Sequence, residues 1–138
     1  DRGVSVCLGT DGCGSSNNLD MREAMKTAAL LQKAWRSDPT AMPLNELMAM
    51  ATVNGARALG FDAGVIEEGR AADVVIIDID NYAFTPNLNF LSNLIFSANS
   101  SCVESVICNG RLVMEHHEIA GEREILENVR RVYGRLYS

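Results

Sequence analysis

The sequence predicts an α/β fold built from two partial units: the last strand and helices of an eight-stranded β/α barrel, and part of a small composite β-sandwich, ending in a helix. Three observations predict it. A short apolar β-prone stretch at residues 4–9 runs into a small-residue polar loop and then into two helical stretches, the strand–loop–helix order of such a barrel. After Gly60 the pattern changes to short β segments, with Asn109-Gly110 between two apolar runs as a strong hairpin signal. Residues 122–137 then return to helical spacing. A complete barrel takes roughly 250 residues, so a chain of 138 residues holds only part of one.

Val4 to Gly9 reads as a buried parallel strand, and Thr10 to Asn18 as the loop at its end. Asp20 is placed to cap a helix, with Glu23 three residues on to complete a capping box. Met21, Ala24, Met25, Ala28, Leu31 and Trp35 give that helix one apolar face, and Asp38-Pro39 stops it. Pro43 opens a second helix that carries Leu44, Leu47, Met48, Ala51 and Ala58 to a stop at Gly60.

Residues 64–69 then read as a short strand and turn, and Ala72 to Asp78 as a strong strand. Val103–Cys108 and Arg111–Met114 flank the hairpin turn. Between the strands, Pro86-Asn87 suggests a turn and Leu88 to Phe96 a short helix. Glu122 to Tyr137 presents Ile125, Leu126, Val129, Val132 and Leu136 on one face. The division expected is therefore residues 1–60 for the barrel part, 61–115 for the sandwich part and 116–138 for the C-terminal helix.

Composition narrows the function classes. A formal net charge of −6 argues against a nucleic-acid polymer or an anionic membrane surface as partner. No apolar run approaches the roughly 20 residues of a membrane span. The chain starts Asp1-Arg2-Gly3 with neither Met nor a signal peptide, which reads as the middle of a longer protein. The four cysteines, Cys7, Cys13, Cys102 and Cys108, form no CxxC pair, so they are expected to be reduced, mostly buried thiols of a cytoplasmic protein.

Asp11 is the candidate catalytic residue. An acidic side chain just beyond a barrel strand lies where such enzymes place reactive groups, and its carboxylate can ligate a divalent metal. Gly9 and Gly12 leave room for a tight turn around it. The same carboxylate could instead cap the loop by accepting backbone N–H bonds, and from its chemistry alone that is the plainer account.

A resemblance reverses this balance. Val6-Cys7-Leu8-Gly9-Thr10-Asp11-Gly12, Ser16-Asn17-Asn18-Leu19-Asp20-Met21, Met50 to Gly60 and Gly64 to Asp73, with the Asn109-Gly110-Arg111 hairpin, together resemble the amidohydrolase superfamily. Within it, the methylthioadenosine/S-adenosylhomocysteine deaminases and the 5′-deoxyadenosine deaminases are the nearest in pattern. The likeness covers nearly the whole chain and fades after about residue 115.

The resemblance implies that Asp11 both contacts the metal, usually zinc and in some relatives iron, and takes a proton from the attacking water. It implies a hydrolytic deaminase acting on small adenosine-type nucleosides, working as a homo-oligomer. The family's other metal ligands and its glutamate proton donor match nothing in this chain, so the chain alone is expected to be inactive and to retain no zinc. His116 and His117 match none of them and read as exposed polar residues. Cys13-Gly14 departs from the small residues, often alanine, of the family's loop.

Ser16, Asn17 and Asn18 are expected to make turn bonds, Asn54 and Arg57 to tie the second helix to the sandwich, and Asp73 to be a buried turn cap. Met21, Met25, Met48 and Met50 read as packing. Two alternatives stay open at this level: a chlorohydrolase or guanine/cytosine deaminase of the same superfamily, or a non-catalytic structural or oligomerisation module.

Overall fold

The computed structural model describes residues 3–137, so Asp1, Arg2 and Ser138 lie outside the described residues. After a short helix, α1 (Cys13–Ser16), the first long element is α2 (Met21–Arg36). Asp20 caps α2 through its carboxylate, which accepts the Glu23 N–H at 3.1 Å. The capping box is only half made, because Glu23 accepts the Asn18 side-chain amide instead.

Of the apolar face expected on α2, Met25 is buried, while Leu31 and Trp35 are exposed and Ala29 takes the innermost place. The helices pack around Met25, Ala29, Leu47 and Ile95, so only the stripe of α2 facing α3 and the 93–97 segment is covered. Trp35 lies beyond the reach of both.

The second helix is two helices, α3 (Leu44–Ala51) and α4 (Val53–Leu59), broken at Thr52. Thr52 leaves the helical region (φ −128°, ψ −95°), and its hydroxyl donates back to the Met48 carbonyl at 2.7 Å. The break has a steric counterpart. Gly64 (φ +86°) sits so close to Val53 that a Cβ there would lie 2.8 Å from the Val53 Cα. The break also frees the Met50 carbonyl, which accepts the Leu8 N–H at 2.8 Å.

Residues 3–10 are extended but form no strand, contrary to the expectation for residues 4–9. A parallel strand needs a neighbouring ladder, and among the described residues none lies beside this segment. Helices hold it instead. Besides the Leu8–Met50 bond, the Asn54 side-chain amide donates to the Val6 carbonyl at 2.9 Å, and Leu8 packs against the helical core.

The strand expected at residues 64–69 is also absent. Gly60 closes α4 in the left-handed conformation, and the next residues fold back on themselves: the Asp62 carbonyl accepts the Ala71 N–H at 2.9 Å, while the Asp62 carboxylate pairs with Arg70. The chain then enters an antiparallel sheet in the order β1 (Val74–Ile77), β2 (Val103–Cys108), β3 (Arg111–Met114). Asn109 (φ 47°) and Gly110 (φ 74°) both take positive φ, as a two-residue hairpin turn of this twist requires. Asp73 caps that turn across the sheet, accepting the Asn109 N–H at 2.6 Å. It is exposed rather than buried, since the turn lies at the open end of the three strands.

Residues 81–102 are a chain of short turns, three of them started by asparagines. Asn81, Asn89 and Asn99 each accept a backbone N–H two or three residues on, at 2.9–3.0 Å. The helix expected near Leu88 to Phe96 is α5 (Phe90–Ser92), which widens into a π-turn over Asn93–Ser97. That turn serves two cores at once. Ile95 is buried among α2 and α3, and Leu94 packs against Phe84, Ala98 and Cys102 under the sheet. Lys26 of α2 fastens it by donating to the Phe96 carbonyl at 2.8 Å.

Beyond β3 the chain turns at His116 and His117, both with positive φ. The His117 N–H donates to the Glu104 carbonyl at 3.0 Å, and the exposed His116 ring pairs with the Glu104 carboxylate. The Ser105 hydroxyl, followed by His116, holds the Glu104 carboxyl below its ordinary pKa. The last helix, α6 (Glu122–Leu136), buries none of its residues.

Candidate functional site

Asp11 sits where the extended segment ends and α1 begins. Its φ of 59° is left-handed, a conformation that Asp tolerates better than most residues. One carboxylate oxygen accepts the N–H of Gly12 at 2.7 Å, and the Thr10 hydroxyl donates to the Asp11 carbonyl at 3.1 Å. The side chain is exposed. One oxygen of Asp11 is therefore occupied by the local turn, which is the capping role, while the other has no hydrogen-bond partner among the described residues.

The loop after Asp11 is ordered by its own side chains. The Gly12 carbonyl accepts the N–H groups of Ser15 and Ser16, at 2.9 and 3.0 Å. The Ser16 hydroxyl donates to the Asn18 carbonyl at 2.7 Å, and Asn18 reaches Glu23 in the first turn of α2. Asn17 ends α1 with φ 63°. Ser16 and Asn18 thus make turn bonds, as their residue types suggest. Cys13 is exposed in the first turn of α1, close in sequence to Asp11. Cys7 and Cys108 are exposed as well, so the expectation of mostly buried thiols holds only for Cys102. Cys7 lies on the uncovered extended segment, and Cys108 at the open hairpin.

Asn54 and Arg57 do not tie α4 to the sheet. Asn54 fixes the segment that leads to Asp11, and Arg57 lines an open groove of about 980 Å³ beside Val4, Val6, Leu31 and Met50. Asp11 is not part of that groove's wall. The groove runs along the uncovered side of the segment, where Arg36, Glu46 and Arg57 share the wall with apolar side chains. Two positioning groups were invisible in the sequence. The Met50 carbonyl is a backbone atom and leaves no side-chain signal. Asn54 was legible as a polar residue on a helix, but not its target.

Among the described residues, no three His, Cys, Asp or Glu side chains come together as a metal site. A catalytic zinc takes about three protein ligands, so these residues do not by themselves fit one, and Asp11 offers a single carboxylate.

The chain belongs to the Amidohydrolase family, whose model matches residues 1–113. It is 50% identical over 124 residues to a 5′-deoxyadenosine deaminase of Methanoregula boonei, covering 90% of this chain and 28% of that protein. It is 44% identical to 5-methylthioadenosine/S-adenosylhomocysteine deaminase 1 of Archaeoglobus fulgidus, covering 97% of this chain and 32% of that one.

Among solved structures it superposes on an adenosine deaminase from Xanthomonas campestris with bound zinc. The TM-score is 0.90 at 36% identity, over 97% of this chain and 31% of that chain. The fold class is thus that of the amidohydrolase TIM-barrel proteins, mixed α/β with a small sheet. The chain spans less than a third of the length of the relatives it matches.

Proposed function

We propose that this chain forms the Asp11 side of the active site of a metal-dependent hydrolytic deaminase acting on adenosine-type nucleosides: 5′-deoxyadenosine, methylthioadenosine or S-adenosylhomocysteine. The observation that carries the reading is the similarity of nearly the whole chain to two deaminases of this class. In the reaction, water adds to C6 of the adenine ring and ammonia leaves, so the attacking water must lose a proton. Asp11 is the acceptor: an exposed carboxylate with one oxygen held by the Gly12 N–H and the other free to take the proton. We assign zinc to the complete site on the model of the zinc-bound relative, with Asp11 giving one carboxylate and the other ligands coming from outside the described residues.

In this reading residues 1–60 belong to the barrel, 61–115 contribute to the sandwich, and 116–138 are the C-terminal part that carries α6. The protein works in the cytoplasm as a homo-oligomer on a small-molecule substrate.

A chimera tests the proposal. Residues 3–115 replace the corresponding segment of the Methanoregula boonei 5′-deoxyadenosine deaminase, and ammonia release is measured with the three nucleosides, guanine and cytosine, and chloride release with a chlorinated triazine. Turnover of a nucleoside, lost by about 10²–10⁴-fold in Asp11→Asn, is the expected result. A folded, zinc-loaded chimera that deaminates none of the nucleosides, or one indifferent to Asp11→Asn, overturns it.

A further inference from the structure

Asparagine is a poor helix former, yet Asn54 stands half-buried in the first turn of α4. Its side-chain amide donates to a residue 48 positions away, the Val6 carbonyl, at 2.9 Å. Two residues further along the segment, the Leu8 N–H donates to the Met50 carbonyl at 2.8 Å. In an extended chain the backbone groups of residues i and i+2 face the same edge. The two bonds therefore grip one edge of the segment, from either side of the break at Thr52. Leu8 is fixed twice, by its N–H and by the packing of its side chain on the helical core. Val6 is about half exposed, and among the described residues Asn54 is the one side chain outside the segment that bonds its backbone.

We propose that Asn54 is a positioning residue for Asp11: by holding Val6 it fixes the angle of the segment about Leu8, and with it the place of the carboxylate. At about 3.3 Å per residue, Val6 lies about 7 Å before Leu8 and Asp11 about 10 Å beyond it. If Val6 loses its bond and drifts by about 1 Å, a segment pivoting at Leu8 carries Asp11 about 1.5 Å the other way. The Gly12 and Thr10 bonds offer no correction, because they join Asp11 to its immediate neighbours and travel with it. A displacement of about 1 Å at a reacting group can cost on the order of 10²-fold in rate. In its catalytic consequence the proposal rests on the deaminase reading; the grip on the segment does not.

The test has two arms. In the zinc-loaded chimera, Asn54→Ala should lower kcat by roughly 10–10²-fold and change KM by less than about threefold. Asn54→Asp keeps the shape of the side chain but removes the N–H, so a loss at least as large there assigns the effect to the bond rather than to packing. Added to Asp11→Asn, Asn54→Ala should cost less than about twofold more, because the residue acts through Asp11. In the 138-residue chain, the Leu8 amide should exchange several-fold faster in Asn54→Ala while the Ala29 amide keeps its rate. An unchanged kcat in both variants overturns the proposal, as when a neighbouring strand of the complete barrel holds the Val6 carbonyl instead. So does a loss that adds in full to that of Asp11→Asn, the mark of a general structural role. A chimera that deaminates no nucleoside, or that ignores Asp11→Asn, overturns the deaminase reading; exchange needs no turnover, and an unchanged Leu8 rate overturns the positioning role by itself.

Discussion

Replacing Gly64 with alanine should destabilise the protein by about 2–5 kcal/mol, and the structure separates that figure into two parts. At φ +86° an L-residue loses about 1–2 kcal/mol to its own backbone. The added Cβ would also lie 2.8 Å from the Val53 Cα and 2.9 Å from the Val53 nitrogen. Those are backbone atoms, so α4 must shift to make room, and overpacking of this kind costs about 1–3 kcal/mol.

Gly69 supplies the control. Its φ of +84° is nearly the same, but nothing lies within 4 Å of a Cβ there, so Gly69→Ala should show the first part alone, about 1–2 kcal/mol. Urea unfolding of the two variants and the parent gives the difference from the midpoints at constant slope. Hydrogen exchange adds the location: a displaced α4 loosens the Met50 carbonyl and Asn54, so the Leu8 amide should exchange faster in Gly64→Ala than in Gly69→Ala. Equal destabilisation by the two substitutions would refute the reasoning, because the close approach would then contribute nothing.

Two further outcomes concern the metal and the charges. The 138-residue chain alone should retain no zinc after dialysis and release no ammonia from S-adenosylhomocysteine, because Asp11 has no fellow ligands among the described residues; stoichiometric zinc with turnover would contradict the incomplete site. Asp38 and Glu104 are both held below their ordinary pKa, Asp38 first by the Thr40 hydroxyl and Glu104 first by Ser105. A carboxyl depressed in the folded state contributes stability that is present above its unfolded pKa and lost as pH falls through the folded one, here below about pH 4. Thr40→Val should therefore lower stability at neutral pH and flatten part of the acid limb of a stability-versus-pH curve, leaving stability below the folded pKa unchanged by this contact; an unaltered acid limb counts against the Thr40 contact.

What the sequence disclosed follows from which forces are local. Asp20 as a cap, Gly60 as a stop and Asn109-Gly110 as a turn are each decided within a few residues, and each stands where it was read. Asp11 was singled out by the blocks of residues around it, and the bond its carboxylate makes, to the Gly12 N–H, is the capping bond that local chemistry favoured. The differences came from partners at a distance, which for residues 4–9 are absent from the described residues. Residues 4–9 carry strand chemistry, yet a strand exists only beside another. Trp35 and Leu31 keep helical spacing, but spacing does not say what lies opposite. The break at Thr52 depends on Gly64, which approaches from a separate turn, and the π-turn at Asn93–Ser97 depends on two cores competing for Leu94 and Ile95.

The bond from the Leu8 N–H to the Met50 carbonyl has a practical consequence for anyone who transplants this site. The loop bearing Asp11 carries no ruler of its own; its depth is gauged by a backbone atom that is exposed only because a helix is interrupted. A graft of residues 4–18 into another scaffold would bring the carboxylate without its gauge. The smallest portable unit therefore runs to Gly64, the residue whose missing side chain keeps the interruption open.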